Sequence, residues 1–243
     1  MRNIKLVIEY DGTDYSGWQR IPGKKTIQGT IEAALSKILN EDIKITGASR
    51  TDAGVHALGQ VANFKTDNLL RDLFSLRKSL NSVLPPDIVI KKISKVDLKF
   101  HARYSAKLKH YRYEILNSKI PSVISRRFSL FFSQELNLSS MRKTVKFLKG
   151  KHSFEKFCVK DDKVNFKITL KEVKIRQLKD FIYIDFYSKS FLRKMVRMLI
   201  GFLLNVGIEK YKPNNVKLIF KGKFKFSPVV APARGLFLME IKY

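Results

Sequence analysis

The sequence predicts an α+β fold of two pseudo-repeated ferredoxin-like domains, each with the element order strand, helix, strand, strand, helix, strand (βαββαβ). Three observations predict it. Apolar and polar residues alternate with period two in several segments, apolar residues recur at helical spacing in others, and the same order of segments occurs twice along the 243 residues. Such units form mainly antiparallel sheets covered by helices on one face. We therefore expect an N-terminal domain over 1–105 and a C-terminal domain over 106–243.

The first half supplies one βαββαβ unit. Alternation over 4–10 predicts a strand that ends at the Asp11-Gly12 turn. The helix that follows has Thr26 as a candidate N-cap, because a threonine hydroxyl can accept a hydrogen bond from a free N–H of the first turn. The remaining segments are predicted strands at 43–48, 60–65 and 88–93 and a predicted helix over 69–82 that stops at "LPP".

The second half repeats this order with longer insertions. Its predicted strands span 108–116, 166–176, 181–188 and 235–242. Its predicted helices span 139–149, with a Ser139/Ser140 cap, 191–206, and a short segment near 214–220.

The charge points to a polyanionic partner. The chain has 48 Lys and Arg against 21 Asp and Glu, a formal net charge of +27, which is typical of proteins that bind nucleic acid. A lysine-rich source proteome is the alternative explanation, because it would raise the charge without any ligand. With this charge, an open sheet face or a cleft between two mainly antiparallel sheets would suit RNA binding.

Several other chemistries lack their sequence patterns. The one cysteine, Cys158, and the four histidines have no metal-site or disulfide spacing. "GTDYSG" is not followed by Lys-Ser/Thr, so it is no P-loop, and the paired acids Asp161 and Asp162 lie in a polar loop. The start "MRNIKLVIEY" has no apolar signal core and charges interrupt the most apolar stretch. We expect a cytoplasmic protein without a membrane segment.

One carboxylate, Asp52, lies in "GASRTDAGVHAL" between the second and third predicted strands. Asp and Gly favour turns for backbone reasons, so a turn without a catalytic role is one interpretation. Arg50 lies nearby, and a neighbouring guanidinium keeps a carboxylate ionised. Loops on rigid strands also carry many catalytic side chains. The pattern leaves both interpretations open.

The stretch "FHARYSAKLKHYRYEI", residues 100–115, interleaves aromatic and basic residues. Aromatic rings can stack on bases while basic groups contact phosphates. The alternative is that Tyr111 and Tyr113 share one face of a strand and pack in the core, with Arg112 directed to solvent.

The helix predicted over 191–206 carries cations near its start. Its apolar stripe is typical of core, while Lys189, Arg193 and Arg197 recur every four residues on another line. Cations in the first turn oppose the helix macrodipole, so a bound anion or a buried carboxylate would explain them. A solvated basic face is the alternative.

Six blocks carry a resemblance to a known family. "GASRTDAGVHALGQVANF" resembles the R-T-D-A-G-V-H-A signature of the TruA family of tRNA pseudouridine synthases. Similar blocks appear in order along nearly the whole chain: "YDGTDYSGWQ" with "TIQGTIEAAL", "NSVLPPDI", "FHARYSAKLKHYRY", "SFLRKMVRMLIG" and "APARGLFLMEIKY". The resemblance implies isomerisation of uridine to pseudouridine at positions 38, 39 and 40 in the tRNA anticodon arm. It implies no metal and no cofactor, and a homodimer that holds the tRNA.

The resemblance also implies site residues. Asp52 would be the catalytic carboxylate, either as a nucleophile on the sugar or as a base that removes the 2′ proton. Arg197 would pair with Asp52 and keep it ionised, and Tyr111 would stack on the target uracil and accept its C5 proton. Arg50 would hold the flipped nucleotide or fill the space it leaves. The family's tRNA-contacting segment is resembled by Phe100, His101, Ala102, Arg103 and Tyr104.

Two other function classes are compatible with parts of the pattern. A non-catalytic RNA-binding protein would follow from the net charge alone, with steep salt dependence of binding and no isomerisation. A metal-dependent nuclease would need clustered acids, which this acid-poor sequence does not offer.

Overall fold

The structure, a computed structural model, describes residues 1–67, 72–159 and 165–243. Positions 69–71 of the helix predicted over 69–82, and the pair Asp161 and Asp162, lie outside the described residues. No helix within the described ranges is long and apolar enough to cross a membrane.

The described strands pair mainly antiparallel and are accompanied by helices, which confirms the predicted α+β class. The strands are β1 (Arg2–Tyr10), β2 (Thr46–Gly47), β3 (His56–Thr66), β4 (Ile88–Val96), β5 (Leu108–Asn117), β6 (Leu130–Phe132), β7 (Gly150–Ser153), β8 (Lys167–Leu178), β9 (Phe181–Ser188) and β10 (Leu236–Lys242). The α-helices are α1 (Ile27–Leu39), α2 (Leu73–Val83), α3 (Leu138–Leu148), α4 (Met195–Gly207) and α5 (Asn215–Phe220).

The chain forms two compact units. The first comprises Met1–Lys107 and Phe237–Tyr243, and the second comprises Leu108–Leu236. The end of the chain thus lies with the first unit, although the sequence pattern assigns it to a domain over 106–243. Within this unit β10 runs parallel to β3, with Phe237 opposite His56.

The first unit has the order β1, α1, β2, β3, α2, β4, as predicted. Its sheet order is β4-β1-β3, with β2 and β10 both pairing with β3. All these pairings are antiparallel except that of β10. The core combines one side of β1 with the apolar stripes of α1 and α2, namely Ile4, Leu6, Ile8, Ile27, Ile31, Leu35, Leu76 and Leu80. Thr26 caps α1 by accepting from Gly29 N, which confirms the predicted cap.

The second unit has the sheet order β5-β9-β8-β7, with β6 parallel to β5 and the other pairings antiparallel. Two short strands, β6 and β7, are absent from the sequence prediction. Helix α3 is capped by Asn137, whose Oδ1 accepts from Ser140 N at 2.9 Å, so the predicted Ser139/Ser140 cap is wrong. In chain order the strands and helices common to both halves repeat, with β6, β7 and α5 as insertions.

Helix α4 begins at Met195, later than the predicted 191. Lys194 has a left-handed backbone, with φ of 60°, and occupies the cap position. Lys189 and Arg193 therefore precede the helix, and only Arg197 lies in its first turn. The predicted line of three cations on one helix is wrong.

Candidate active site

Asp52 lies in the loop between β2 and β3, where the backbone forms a turn. Val55 N donates to Asp52 O at 3.2 Å, and Gly54 takes the left-handed conformation with φ of 75°. Asp52 is partly exposed and Arg50 is exposed, whereas Thr51 between them is buried. The two sequence interpretations therefore do not exclude one another, because the backbone makes the turn while the carboxylate stays accessible.

A second loop, residues 11–18, lies against the backbone of this turn. Trp18 N donates to Thr51 O at 3.0 Å. Gly17 has φ of 93°, and a Cβ there would lie 2.7 Å from Thr51 O. Only glycine allows the two backbones to approach this closely. The loop that carries Asp52 is thus supported by main-chain contacts from a separate segment.

Three buried polar side chains fix the same loop. Tyr10 OH and Thr51 Oγ1 form a hydrogen bond of 2.8 Å. Gln60 Nε2 donates to Ser49 O at 2.7 Å and lies 3.5 Å from Tyr10 OH. Tyr10 and Thr51 are 3% and 7% exposed, and Gln60 is 0% exposed. Because a buried polar group without a partner is costly, this network holds the backbone immediately before Asp52.

The predicted tRNA-contacting segment follows β4 and presents an aromatic and cationic cluster. Tyr104 is 72% exposed and Arg103 is exposed, Phe100 and His101 are partly exposed, and Ala102 is buried. The His101 and Tyr104 rings lie 4.3 Å apart, and the Arg103 guanidinium lies 5.7 Å from the Tyr104 centroid. His101 Nδ1 accepts from the backbone N–H groups of Arg103 and Tyr104 at 3.2 and 3.3 Å.

Two buried asparagines hold this segment against the sheet. Asn3 Nδ2 donates to Phe100 O at 2.9 Å, and Asn63 Oδ1 accepts from Ala102 N at 2.8 Å. Asn63 Nδ2 also donates to Asn3 Oδ1 at 2.9 Å. Both lie on the face of the sheet opposite the Ile4 side chain, because strand residues alternate between faces. The exposed cluster is therefore anchored by amide groups that are themselves fully paired.

In the second unit, Tyr111 and Tyr113 share one face of β5. They are 5% and 0% exposed. Tyr111 packs edge-on against Phe191 at 5.1 Å, and Tyr113 OH donates to Pro232 O at 2.8 Å. Burial raises the pKa of the Tyr113 hydroxyl, against the lowering effect of nearby arginines that include Arg197. Both tyrosines are packed as the core interpretation expects, and the stacking role of Tyr111 stays a prediction.

Arg197 is held by the segment that precedes β10. Its Nε donates to Ala231 O at 2.7 Å, and its backbone O accepts from Ala231 N at 3.1 Å. The neighbouring Pro232 accepts the Tyr113 hydroxyl. This segment thus orients the Arg197 guanidinium. It also fixes Tyr113, the next residue after Tyr111 on the same face of β5.

Asp185, on β9, is a buried carboxylate opposite Arg112 on β5. Arg112 Nε donates to Asp185 Oδ1 at 2.8 Å, His110 Nε2 lies 2.6 Å from the same oxygen, and Arg176 Nη2 donates to Oδ2 at 3.0 Å. Burial opposes ionisation, but the hydrogen bonds from His110 and Arg112 outweigh it and lower the pKa of Asp185 to about 2. The expectation that Arg112 is directed to solvent is wrong, because Asp185 binds it across the sheet.

The predicted site residues fall into three groups. The first unit brings Arg50 and Asp52 together in one loop and, separately, Phe100 to Tyr104 in one segment. The second unit carries Tyr111 and Arg197, both next to Tyr113. Among the described residues, no three His, Cys, Asp or Glu side chains lie together in a way that could hold a metal ion.

Comparison with known proteins decides the family. A family model described as tRNA pseudouridine synthase matches residues 6–105 and 145–243. The chain belongs to the tRNA pseudouridine synthase family. It is 43% identical over 246 residues to "tRNA pseudouridine synthase A" of Caldicellulosiruptor saccharolyticus, with 100% of both chains covered. The proteins of the same name from Acetivibrio thermocellus and Ruminiclostridium cellulolyticum are 42% and 44% identical, again with 100% of each chain covered.

Membership confirms the resemblance drawn from the six blocks, and it makes the protein an isomerase that acts on tRNA. The alternative of a metal-dependent nuclease has no support in these relatives.

The sequence patterns did not identify the residues that support the synthase's loops. Gln60 and Asn63 lie in the otherwise apolar strand segment "GQVANF", and Asn3 lies beside apolar residues in β1. A polar side chain at a buried strand position needs a hydrogen-bond partner, so a structural role for these amides could be predicted from the sequence. Their partners in the loops could not be predicted, because those residues come from distant parts of the chain.

Proposed function

We propose that this tRNA pseudouridine synthase isomerises uridine to pseudouridine at positions 38, 39 and 40 in the anticodon arm of tRNA, in the cytoplasm and as a homodimer. The observation that carries the proposal is the "RTDAGVHA" signature on a loop that two other segments support, in a chain with full-length relatives of the synthase family.

Asp52 is the catalytic carboxylate in this proposal. The reaction breaks the bond between uracil N1 and ribose C1′, turns the base, forms the C5–C1′ bond and releases the C5 proton. A single carboxylate can serve it as a nucleophile on the sugar or as a base on the 2′ proton, because no water has to be activated. The partial exposure of Asp52 and the buried support of its loop fit either route.

Tyr111 and Arg197 complete the catalytic set. Arg197 has the role that the family resemblance gives it, a cation that keeps the Asp52 carboxylate ionised. The hydrogen bond from its Nε to Ala231 O supports this role by limiting the orientations of the guanidinium. Tyr111 stacks on the target uracil and accepts the C5 proton.

In this proposal, solvent-exposed side chains make the contacts to the tRNA. Base flipping leaves a gap in the stack, and the exposed Arg50 fills it or holds the extruded nucleotide. The segment Phe100, His101, Ala102, Arg103 and Tyr104 contacts the tRNA through the exposed Tyr104 ring and the Arg103 guanidinium.

The test is tritium release from tRNA labelled at uridine C5. The wild type should release tritium, and Asp52→Ala should release none while still binding tRNA. Asp42→Ala is the matched control, because Asp42 is an exposed carboxylate whose ion pair with Lys44 is also exposed, and it should retain full turnover. Full turnover by Asp52→Ala would refute the assignment, and absence of isomerisation by the wild type would leave an RNA-binding protein.

Light scattering coupled to size exclusion tests the homodimer. A mass twice that of the 28.2 kDa chain is expected, and a monomeric mass at the assay concentration would refute this part of the proposal.

A further inference from the structure

The longest stretch of the sequence without acidic residues lies near its end. No Asp or Glu occurs between Glu209 and Glu240, and six lysines fall within 210–225. We call these six the lysine patch: Lys210, Lys212, Lys217, Lys221, Lys223 and Lys225. All six are exposed.

The patch is one surface, because contacts join its two ends. The ring centroids of Tyr211 and Phe224 lie 5.5 Å apart. The backbone at Lys210 and Lys212, which flank Tyr211, is therefore close to the backbone at Lys223 and Lys225, which flank Phe224. In between, Lys221 N donates to Lys217 O at 3.2 Å, which places these two side chains one helical turn apart. Lys223 N donates to Leu218 O at 2.8 Å and continues the surface.

The irregular segment after α5 is anchored by alternate residues. Phe226 packs against Phe157 at 5.1 Å and against Phe202 at 5.5 Å, and Phe224 packs against Tyr211. Lys223 and Lys225 lie on either side of Phe224, and Lys221 directly follows α5. All three are exposed on a backbone that these ring contacts hold in place. Ordering them costs little on binding, because the backbone is already held by the core.

Among the described residues, the positive charge of the patch lacks carboxylate partners. In the ranges that the structure describes, no salt bridge joins any of its six ammonium groups to an acid, and the Lys217 ammonium instead lies 3.8 Å from the Phe147 ring centroid. Clustered like charges repel each other and favour a compensating polyanion. Lysine ammonium groups bind phosphates as point charges, and neutralising RNA phosphates releases counterions.

The patch lies away from the end of α4 that carries Arg197. It adjoins the C-terminal end of that helix, and the ten residues from Arg197 to Gly207 span about 15 Å at 1.5 Å per residue. From the patch, the chain returns along α4, since Val229 O lies close to Gly201 and Ala231 pairs with Arg197. A ligand on the patch would therefore contact nucleotides other than the one that reacts.

We propose that the lysine patch binds the phosphate backbone of the substrate tRNA, at nucleotides removed from the target uridine. The proposal rests on the proposed function for the choice of RNA. The patch contributes affinity and salt dependence, and it takes no part in the isomerisation step.

The experiment compares two triple variants that change the net charge equally. One replaces patch residues, Lys221→Gln, Lys223→Gln and Lys225→Gln. The other replaces exposed lysines dispersed over the first unit, Lys37→Gln, Lys78→Gln and Lys95→Gln. Binding of an unmodified tRNA transcript is measured between low and high salt, and turnover is measured at saturating tRNA. Thermal unfolding of both variants should match the wild type, because only exposed side chains change.

The patch variant should bind at least about tenfold more weakly near physiological salt, and its plot of log K against log salt should be shallower by about 2 to 3, as expected for three lost phosphate contacts. Its kcat should equal that of the wild type. An equal loss in the dispersed variant, an unchanged salt slope, or a lower kcat in the patch variant would overturn the proposal. Failure of the proposed function has a different signature, since a wild type that binds tRNA without isomerising it leaves the binding comparison intact.

Discussion

The hydroxyl groups of Tyr10 and Thr51 lie 2.8 Å apart, buried beneath the loop that carries Asp52. Tyr10 is the last residue of β1, which pairs with strands on both sides, so this strand is bonded directly to the residue before the proposed catalytic carboxylate. A carboxylate that acts on a sugar has to be held close to its reactive geometry. The position of Asp52 should therefore depend on this bond.

Tyr10→Phe should lower kcat roughly tenfold with KM unchanged, because the loop loses one anchor while its RNA-contacting surface stays intact. The free energy of unfolding should fall by about 1 kcal/mol. Steady-state kinetics and urea unfolding measure both. Asn81→Ala is the control, since its hydrogen bonds to both backbone groups of Ile90 lie in the same unit and involve neither the Asp52 loop nor residues 11–18. Equal kcat losses in the two variants would mean general destabilisation.

Tyr111→Phe and Tyr113→Phe should separate chemistry from packing. Tyr111→Phe keeps the ring for stacking but removes the group proposed to accept the C5 proton, so turnover should fall while tRNA affinity is kept. Tyr113→Phe leaves Pro232 O without its donor and should cost about 1 to 2 kcal/mol of stability with little effect on turnover. Tritium release and thermal unfolding are the measurements. Unchanged turnover in Tyr111→Phe contradicts the proton-accepting role.

Arg197→Ala should reduce turnover far more than tRNA affinity if the guanidinium keeps Asp52 ionised. Arg197→Lys keeps the charge but cannot donate to Ala231 O from an Nε–H in the same geometry, so it should recover only part of the loss. Single-turnover rates and tRNA dissociation constants distinguish the roles. Parallel losses in rate and affinity would identify Arg197 as a phosphate contact instead.

The sequence predicts those parts of the synthase that depend on local patterns. The alternation in β1, the apolar stripe of α1 and the Thr26 cap are set by neighbours within a few residues, and the structure has them. The start of α4 was misplaced because periodicity does not register the left-handed backbone of Lys194. The pairing of terminal strand β10 with β3 was not predicted, because it joins residues that lie far apart in the chain.

The candidate site divides in the same way. The signature around Asp52 predicted the loop, and Gly54 predicted the turn within it. The buried groups that support it, Tyr10 and Gln60, had no local signal that related them to Asp52, since each is an ordinary strand residue whose partner lies in another segment. The cluster around Asp185 could not be predicted from the sequence either, because Asp185 and Arg112 are 73 residues apart.

Asn63→Ala should raise KM for tRNA about tenfold with little change in kcat. The variant removes the acceptor for Ala102 N and the donor to Asn3, so the segment that carries Arg103 and Tyr104 loses its attachment to the sheet. Asn81→Ala is the control, because Asn81 bonds both backbone groups of Ile90 in the same unit. That control should lose stability without a change in KM, and a KM rise in both variants would contradict a positioning role.

Asp185→Asn should make the protein less dependent on pH in acid. Because the pKa of Asp185 falls from 3.8 to about 2 on folding, the ionised carboxylate contributes stability that is complete above about pH 5 and is lost as the pH falls through 2. The contribution is about 2 kcal/mol at neutral pH. The stability difference between wild type and Asp185→Asn, measured by urea unfolding, should therefore shrink by about 2 kcal/mol from pH 6 to pH 2.

The matched variant for this measurement is Glu172→Gln, on the neighbouring strand. Glu172 pairs with Lys174 at 3.1 Å, but both side chains are about half exposed, and exposed pairs contribute little. Its difference from the wild type should stay near zero across the same range. A constant offset for Asp185→Asn at every pH would mean that the pKa of Asp185 does not change on folding, and that ionisation of Asp185 does not stabilise the fold.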